Sequence, residues 1–262
     1  MEILNAIILG VVQGLTEFLP ISSSGHLEIA KAILTEGSIG KESMLMTLTL
    51  HLATAASTLY VFRADVIKIF KGLFAFRKNE ETHYSIKILL SMIPAGLVGL
   101  FFKSDVEKLF VTDIVLVGSM LIVTSILLFL ADKAKVTQNK VRYTDSIIIG
   151  VAQAIAIIPG ISRSGATIAI SAILGVDKEE AAKFSFLMVV PLIFGAMIND
   201  LISSDIIFNT SDRLPLLFGF LAAFIIGAFA CKWMIKLVKR SKLKYFAFYC
   251  MAMGLIIIIV SI

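Results

Sequence analysis

The 262 residues of this chain are 58% hydrophobic and only 16% charged, and the formal net charge is +5. A typical soluble domain is about 45–50% apolar and about 25% charged. These values exclude a disordered chain, and they exclude a water-soluble protein because too few polar side chains are present to cover its surface. We therefore interpret the chain as a multispanning membrane protein. Its basic excess is assigned to loops on one membrane face rather than to a nucleic-acid-binding surface.

The apolar segments fall into two length classes. Long segments approach the roughly 20 residues that a helix needs to cross a bilayer. In chain order they are 44–62, 86–102, 111–131, 181–201, 214–238 and 245–262. The others are short or interrupted by polar residues and Pro, and they are 3–19, 27–34, 145–158 and 166–176. An arm of about ten residues spans roughly 15 Å, half of the hydrocarbon core. Each pair of short arms therefore predicts a re-entrant hairpin that turns near the middle of the membrane.

The two predicted hairpins repeat each other. Residues 10–34 align without gaps to residues 150–174, and ten of these 25 positions are identical. Three full spans follow each hairpin, and because three is odd, the second hairpin should enter from the opposite face. The sequence thus predicts an all-α polytopic membrane protein with a single membrane domain, 1–262. Two inverted-topology repeats, 1–135 and 136–262, would each contain a re-entrant helical hairpin plus three transmembrane helices.

The basic residues are distributed unevenly over the loops of this topology. Eighteen of the 24 Lys and Arg residues fall on one side. Five fall on the other side, and they are Lys31, Lys41, Lys103, Lys108 and Arg213. Because Lys and Arg concentrate in cytoplasmic loops, we expect the first hairpin and both chain ends on the outer face.

Each hairpin has a polar turn at the predicted membrane depth. The first turn and its flanks contain Glu17, three consecutive serines and His26, and the second contains Arg163. An ionisable group at the bilayer centre costs about 2.5–3.5 kcal/mol. Glu17, His26 and Arg163 are therefore expected to face one another or a water-filled cavity. Each turn precedes a helix N-terminus, which favours an anion, and a guanidinium group matches the geometry of phosphate oxygens.

The spacing within the first hairpin indicates how its groups could cooperate. Gln13 and Glu17 lie four residues apart, on one helix face, and Ser23 and His26 lie three apart, so the imidazole could reach the serine hydroxyl. A carboxylate, a hydroxyl, an imidazole and Arg163 together suit phosphoryl transfer or hydrolysis at a membrane. Two structural alternatives are that the serines only cap helices and that Glu17 and Arg163 form only a structural ion pair.

Both turns resemble the signatures of the BacA-type undecaprenyl-diphosphate phosphatases, the bacitracin-resistance family. The first signature, (Glu/Gln)-x-x-x-Glu followed by Pro-x-Ser-Ser-(Ser/Thr)-Gly-His, is matched between Gln13 and His26. The second, Pro-Gly-x-Ser-Arg-Ser-Gly-Ala-Thr, is matched from Pro159 to Thr167. The resemblance covers nearly the whole chain. Gln13 stands where the pattern also allows an acid, and since an amide cannot act as a general base, that role falls to Glu17 alone.

The resemblance implies hydrolysis of undecaprenyl diphosphate to undecaprenyl phosphate and inorganic phosphate in the bacterial inner membrane, with the site facing the exterior. This reaction recycles the lipid carrier of cell-wall synthesis and confers bacitracin resistance. The resemblance also implies a divalent cation, Mg or Ca, with Glu17 as its candidate ligand. The implied catalytic residues are Glu17, Ser23, His26 and Arg163. The implied substrate-binding residues are Gln13, Ser22, Ser24, Gly25, Ser162, Ser164, Gly165 and Thr167. Attack by His26 instead of Ser23 stays open.

Two rival functions are considered. Inverted repeats with broken helices are also a transporter architecture, so a flippase for a polyprenyl phosphate lipid is the alternative. A lipid phosphatase of the acid-phosphatase type is disfavoured, because the other motifs of that family are missing from this sequence. The sequence predicts no oligomeric state.

Overall fold

A computed structural model describes residues 2–34, 41–75, 77, 79–102, 114–203 and 213–261. All regular secondary structure in these ranges is helical. The helices are α1 (Ile3–Thr16), α2 (Ser23–Leu34), α3 (Lys41–Val61), α4 (Arg63–Phe74), α5 (Glu80–Phe101), α6 (Ile114–Lys133), α7 (Tyr143–Ile155), α8 (Arg163–Ile173), α9 (Lys178–Ser203), α10 (Arg213–Lys239) and α11 (Lys244–Ser261). Lys103, Lys108, the start of the predicted span 111–131 and residue 262 lie outside the described residues.

Six of these helices are long and apolar enough to cross a membrane. Their candidate spans are Met44–Val61, Glu80–Phe101, Ile114–Lys133, Lys178–Ile198, Arg213–Lys239 and Lys244–Ser261. The six predicted spans and four short arms are therefore confirmed, and the protein is a multi-pass membrane protein. The inverted orientation of the two halves stays a prediction.

Helix α4 was not predicted, because the sequence analysis treated its basic residues as part of a connection between spans. It has only 12 residues, too few to cross a bilayer. Ile67, Phe70 and Phe74 are spaced as one helix face and are 52%, 55% and 72% exposed. An apolar face beside lysines is typical of a helix that lies in the membrane interface.

The first arm of each hairpin packs against a span from the other half of the chain. Helix α1 packs on α10, and α7 packs on α5. Glycines allow the backbones to approach: a Cβ atom on Gly10 would lie 2.5 Å from the Gly219 carbonyl oxygen, and one on Gly150 would lie 2.5 Å from the Ser91 carbonyl oxygen. Without a hydrophobic force between helices in lipid, such close van der Waals packing holds them together.

Helices α6 and α11 form the support for the two turns. Gly118 and Gly254 allow close contact between them, since a Cβ atom on Gly254 would lie 2.6 Å from the Gly118 carbonyl oxygen. The Ser125 hydroxyl donates to the Ala247 carbonyl oxygen over 2.7 Å. Helix α6 also packs on α8, the second arm of the second hairpin. The positions of both turns are therefore fixed by helices distant from them in sequence.

Gly160 is the residue of the second turn with the least space for a side chain. Its φ is +94°, and a Cβ atom there would overlap the carbonyl oxygen of Val117 on α6. We expect Gly160→Ala to lower the free energy of unfolding by about 2–5 kcal/mol, from left-handed strain together with overpacking. Thermal unfolding of the purified protein in detergent measures this change.

Gly175 provides the matched control for Gly160. Its φ is +81°, but no atom lies within 4 Å of its Cβ position. Gly175→Ala should therefore cost only the backbone strain, about 1–2 kcal/mol. Equal losses of stability in the two variants would contradict the predicted contact with Val117.

Candidate active site

The two polar turns meet and enclose a small cavity of about 60 Å³. It is lined by Thr16, Glu17, Ser22, Ser23, Ser24, Ala156, Ile161, Ser162, Arg163 and Ser164. Gly165 makes this meeting possible, because a Cβ atom on it would lie 3.1 Å from Cβ of Pro20 in the first turn. Five of the cavity residues are serines, and the cavity also contains the predicted carboxylate and guanidinium.

Glu17 is the centre of the hydrogen-bond network. Its Oε2 accepts a hydrogen bond from the Ser23 hydroxyl over 3.0 Å and another from Nε2 of Gln13 over 3.0 Å. Its Oε1 accepts from Nη2 of Arg163. The carboxylate is therefore held in place from three sides, and one of its oxygens lies within proton-transfer distance of the serine hydroxyl.

Arg163 joins the second turn to the first through Glu17. The ion pair is largely desolvated, with side-chain exposures of 20% for Arg163 and 4% for Glu17. Within the described residues, Nη1 of Arg163 is buried and has no hydrogen-bond partner. An unmade buried hydrogen bond costs about 1–3 kcal/mol or more for a charged group, so an acceptor that comes within reach of Nη1 would lower the free energy of this site. The structural ion pair considered from sequence does exist, and it forms part of the cavity wall.

The backbone of the first turn is strained at Ser22, whose φ is +70°. A non-glycine residue pays about 1–2 kcal/mol for this left-handed conformation. The next residue, Ser23, begins α2. In the second turn, Ser162 has an ordinary φ of −75° and caps α8, its Oγ accepting from the Gly165 N–H over 3.1 Å. The cavity thus lies at the N-termini of two helices, an arrangement that favours a bound anion.

The second turn is held by two residues that the sequence analysis did not identify. Thr124 on α6 accepts a hydrogen bond from the Ser162 N–H at its Oγ1, over 3.0 Å. Ser185 on α9 shares a 2.6 Å hydrogen bond with Thr167. Both residues reach the second hairpin through tertiary contacts from transmembrane helices.

The predicted substrate-binding residues do not all line the cavity. Ser22, Ser24, Ser162 and Ser164 do. Gln13 is fully buried beside Glu17. Thr167 is buried one helical turn after Arg163 on α8, and its hydroxyl donates to the Arg163 carbonyl oxygen over 2.8 Å. Gly25 and Gly165 belong to the first turns of α2 and α8.

His26 does not make the expected hydrogen bond with Ser23. Its Nδ1 lies 2.9 Å from the Ser22 carbonyl oxygen, and its Nε2 lies 2.6 Å from the hydroxyl oxygen of Tyr249. The serine hydroxyl is bonded to Glu17 instead. The spacing of three residues places His26 beside the first turn, but its Nδ1 is hydrogen bonded to the Ser22 carbonyl oxygen and not to the Ser23 hydroxyl.

Comparison with known proteins matches this chain over most of its length. The family model described as bacitracin resistance protein BacA matches residues 6–256, which include both turns. The chain belongs to the BacA family.

Individual BacA relatives are similar over their full length. A protein of Christiangramia forsetii named undecaprenyl-diphosphatase is 58% identical over 259 residues, covering 99% of this chain and 98% of the relative. Proteins with the same name from Bacteroides fragilis and Methanobrevibacter smithii are 48% and 40% identical, each covering 100% of this chain and 99% of the relative. The family resemblance seen in the two turns is therefore confirmed for the whole chain.

The BacA family also implies a divalent cation, and the cavity can be tested for its fit. The described residues contain no cluster of three or more His, Cys, Asp or Glu that could enclose a metal ion. Oxygen donors are present, however: the Glu17 carboxylate lines the cavity, and Oε1 of the neighbouring Gln13 is buried without a partner in the described structure. Mg²⁺ is commonly held by one or two carboxylates together with substrate phosphates. Glu17 is therefore the one carboxylate among the described cavity residues that a cation could use as a ligand, and a divalent cation stays a prediction.

Proposed function

We propose that the two turns carry out the hydrolysis of undecaprenyl diphosphate to undecaprenyl phosphate and inorganic phosphate. The single observation that carries this proposal is the Ser23 hydroxyl donating to Glu17, while Arg163 binds the other oxygen of the same carboxylate. The proposed nucleophile, Ser23, its base, Glu17, and a guanidinium group for the phosphate, Arg163, thus lie in one cavity. The relatives are named for this phosphatase activity, which favours it over the flippase alternative.

In the proposed first step, Oγ of Ser23 attacks the terminal phosphorus and its proton moves to Oε2 of Glu17. The bond between this phosphorus and the bridging oxygen breaks, and undecaprenyl phosphate leaves with the electron pair. Arg163 and the two helix N-termini stabilise the charge on the equatorial oxygens of the transferred group. In this step Nη2 of Arg163 would remain on Glu17, and its second nitrogen, Nη1, which has no hydrogen-bond partner among the described residues, would donate to a phosphate oxygen.

In the proposed second step, a water molecule attacks the phosphoserine. Glu17 returns its proton to Oγ of Ser23 as the phosphorus–oxygen bond breaks. The proton that the water loses passes through intervening solvent to His26, which lies beside the first turn and outside the residues that line the cavity. Protonation of the leaving serine oxygen by a positioned acid is the ordinary requirement of ester hydrolysis. Both steps use the same carboxylate, first as base and then as acid.

A divalent cation, Mg or Ca, is part of this proposal. Glu17, the carboxylate that lines the cavity, would hold it against the diphosphate. When bound, the cation would supply positive charge that neutralises the phosphate oxygens.

We further propose that the cavity opens to the exterior of the bacterial inner membrane. The support is the uneven distribution of the 24 basic residues, which assigns the loops opposite the first hairpin to the cytoplasm. A site on the outer face would meet the lipid diphosphate where the lipid carrier is released during cell-wall synthesis.

The nucleophile can be identified by trapping the phosphoenzyme. With substrate labelled at the terminal phosphate and rapid quenching, we expect an acid-stable adduct, as phosphoserine is, in the wild-type protein. Ser23→Ala should abolish both the adduct and phosphate release, because no hydroxyl remains to attack.

His26→Ala separates the two candidate nucleophiles in the same experiment. If Ser23 is the nucleophile, this variant should still form the acid-stable adduct and should hydrolyse it more slowly. An acid-labile adduct that disappears in His26→Ala would assign the attack to the imidazole. Normal phosphate release by Ser23→Ala would overturn the proposed first step.

A further inference from the structure

The hydrogen-bond partners of His26 determine where its proton lies. Nδ1 is 2.9 Å from the Ser22 carbonyl oxygen, which has no hydrogen to donate, so Nδ1 must carry one. In the neutral ring Nε2 is then an acceptor with a free lone pair. Its partner is the hydroxyl of Tyr249 at 2.6 Å, which therefore donates to it. The ring is held at both nitrogens.

Tyr249 reaches His26 from the far end of the chain. The two residues are 223 positions apart, and Tyr249 belongs to α11, the last transmembrane helix. The two rings also stack, with centroids 5.7 Å apart and planes inclined by 25°. Neither the signatures nor the repeat indicates this tyrosine.

The position of Tyr249 is set by a rigid part of the fold. The neighbouring Cys250 is buried, and its Sγ lies 3.5 Å from the Pro20 carbonyl oxygen in the first turn. One helical turn further on, Gly254 packs against Gly118 of α6. Helix α11 is thus fixed against the first turn at the residue next to Tyr249, so the tyrosine hydroxyl approaches His26 from a fixed direction.

The Tyr249 hydroxyl can remain hydrogen bonded to His26 when the imidazole changes its protonation state. A tyrosine hydroxyl both donates and accepts hydrogen bonds. It donates to Nε2 of the neutral ring, and once Nε2 is protonated the same oxygen can accept from the imidazolium N–H. The hydrogen bond can therefore reverse its direction while both rings stay in place. A phenylalanine ring could stack in the same way but could form neither hydrogen bond.

We propose that Tyr249 is a positioning residue for His26, holding its imidazole in the Nδ1–H tautomer and partnering Nε2 before and after proton uptake. This inference rests on the proton-accepting role proposed above for His26.

The experiment compares Tyr249→Phe with the wild-type protein by steady-state phosphate release from undecaprenyl diphosphate in detergent. Loss of a hydrogen bond to a group that becomes charged should lower kcat about tenfold or more. KM should stay within about twofold, since Tyr249 is not among the residues that line the cavity. Tyr245→Phe is the matched control, because Tyr245 lies one turn earlier on α11 and is 59% exposed. This control should keep the wild-type kcat.

A double-mutant cycle distinguishes positioning from a general structural role. If Tyr249 acts through His26, Tyr249→Phe should cause no further loss of kcat in a His26→Ala background. The same loss in both backgrounds would overturn the inference, as would a wild-type kcat in Tyr249→Phe alone. Incorporating 3-fluorotyrosine at position 249 retains the shape and the hydroxyl while changing its acidity. It should therefore change kcat without loss of folded protein, and an unchanged kcat would also contradict the inference.

The outcomes separate this inference from the proposed function. Full activity of His26→Ala would overturn the role of His26 and the positioning role with it. Impaired His26→Ala together with a normal Tyr249→Phe would overturn only the positioning role.

Discussion

Replacing Glu17 by Gln is expected to lower kcat for phosphate release by about 10²–10⁴-fold. The amide has the shape of the carboxylate but cannot accept the proton of Ser23, whose hydroxyl donates to Oε2. Gln13 begins the first signature and lies one helical turn before Glu17. It cannot take over as the base, because its side chain is an amide. Phosphate release from undecaprenyl diphosphate, measured at saturating substrate, gives kcat directly.

The loss of charge at Glu17 also affects stability, and the measurement needs a control for it. Arg163 would be left buried without its counter-ion, and breaking one partner of a buried pair costs about 3–5 kcal/mol. Asp145→Asn is the matched control, since Asp145 is a buried carboxylate bonded to Arg142 away from the cavity. It should keep near-normal activity in the folded fraction. A Glu17→Gln protein that retains more than a tenth of the wild-type kcat would show that another group is the base.

Arg163→Lys is expected to lower kcat/KM by about 10²–10³-fold, the range found when one preorganised donor to a developing oxyanion is removed. The guanidinium of Arg163 is bonded to Glu17 through Nη2, and among the described residues its buried Nη1 has no hydrogen-bond partner. An ammonium group is a single point charge on a flexible stem and cannot reproduce this fork. Because the lost interaction concerns the transferred phosphate, kcat should fall along with kcat/KM.

A second ion pair between an arginine and a carboxylate, Arg142 with Asp145, lies outside the cavity and provides the control for this substitution. The Arg142 guanidinium is also forked, with Nε and Nη2 on the two oxygens of Asp145. Arg142→Lys should therefore disrupt an ion pair with the same forked geometry, although the Arg142 side chain is 70% exposed, without changing phosphate release. Near-normal turnover by Arg163→Lys would remove Arg163 from the proposed mechanism while leaving the family membership unchanged.

The local features of the fold were predictable because they depend on residues close in sequence. Segment length separates the six spans from the four short arms, since only about 20 apolar residues cross a bilayer. The helical spacing of Gln13 and Glu17 predicts their common face, and their side chains are hydrogen bonded. Helix α4 was missed because an interfacial helix of 12 residues resembles a basic loop unless its apolar face is considered separately.

The contacts of the candidate site were predictable only in part. Ionisable residues at membrane depth should face one another or a water-filled cavity, and this cost favours the contact that Glu17 and Arg163 make across 146 positions. It does not determine which hydroxyl each group meets. The expected hydrogen bond between Ser23 and His26 is absent from the described structure because the Ser23 hydroxyl donates to Glu17, and Nδ1 of the imidazole lies against the Ser22 carbonyl oxygen at the start of α2.

Hydropathy, residue spacing and two long signatures are enough to predict the class of protein, the number of spans, the two interrupted hairpins and the family. The hydrogen bonds by which Thr124, Ser185 and Tyr249 hold the groups of the two hairpins are visible only in the folded protein. These residues lie on transmembrane helices whose mutual positions depend on close glycine contacts such as that of Gly118 with Gly254. The physical reason is that helical periodicity fixes which face a side chain occupies, whereas the partner of that face is selected by packing between helices far apart in the chain.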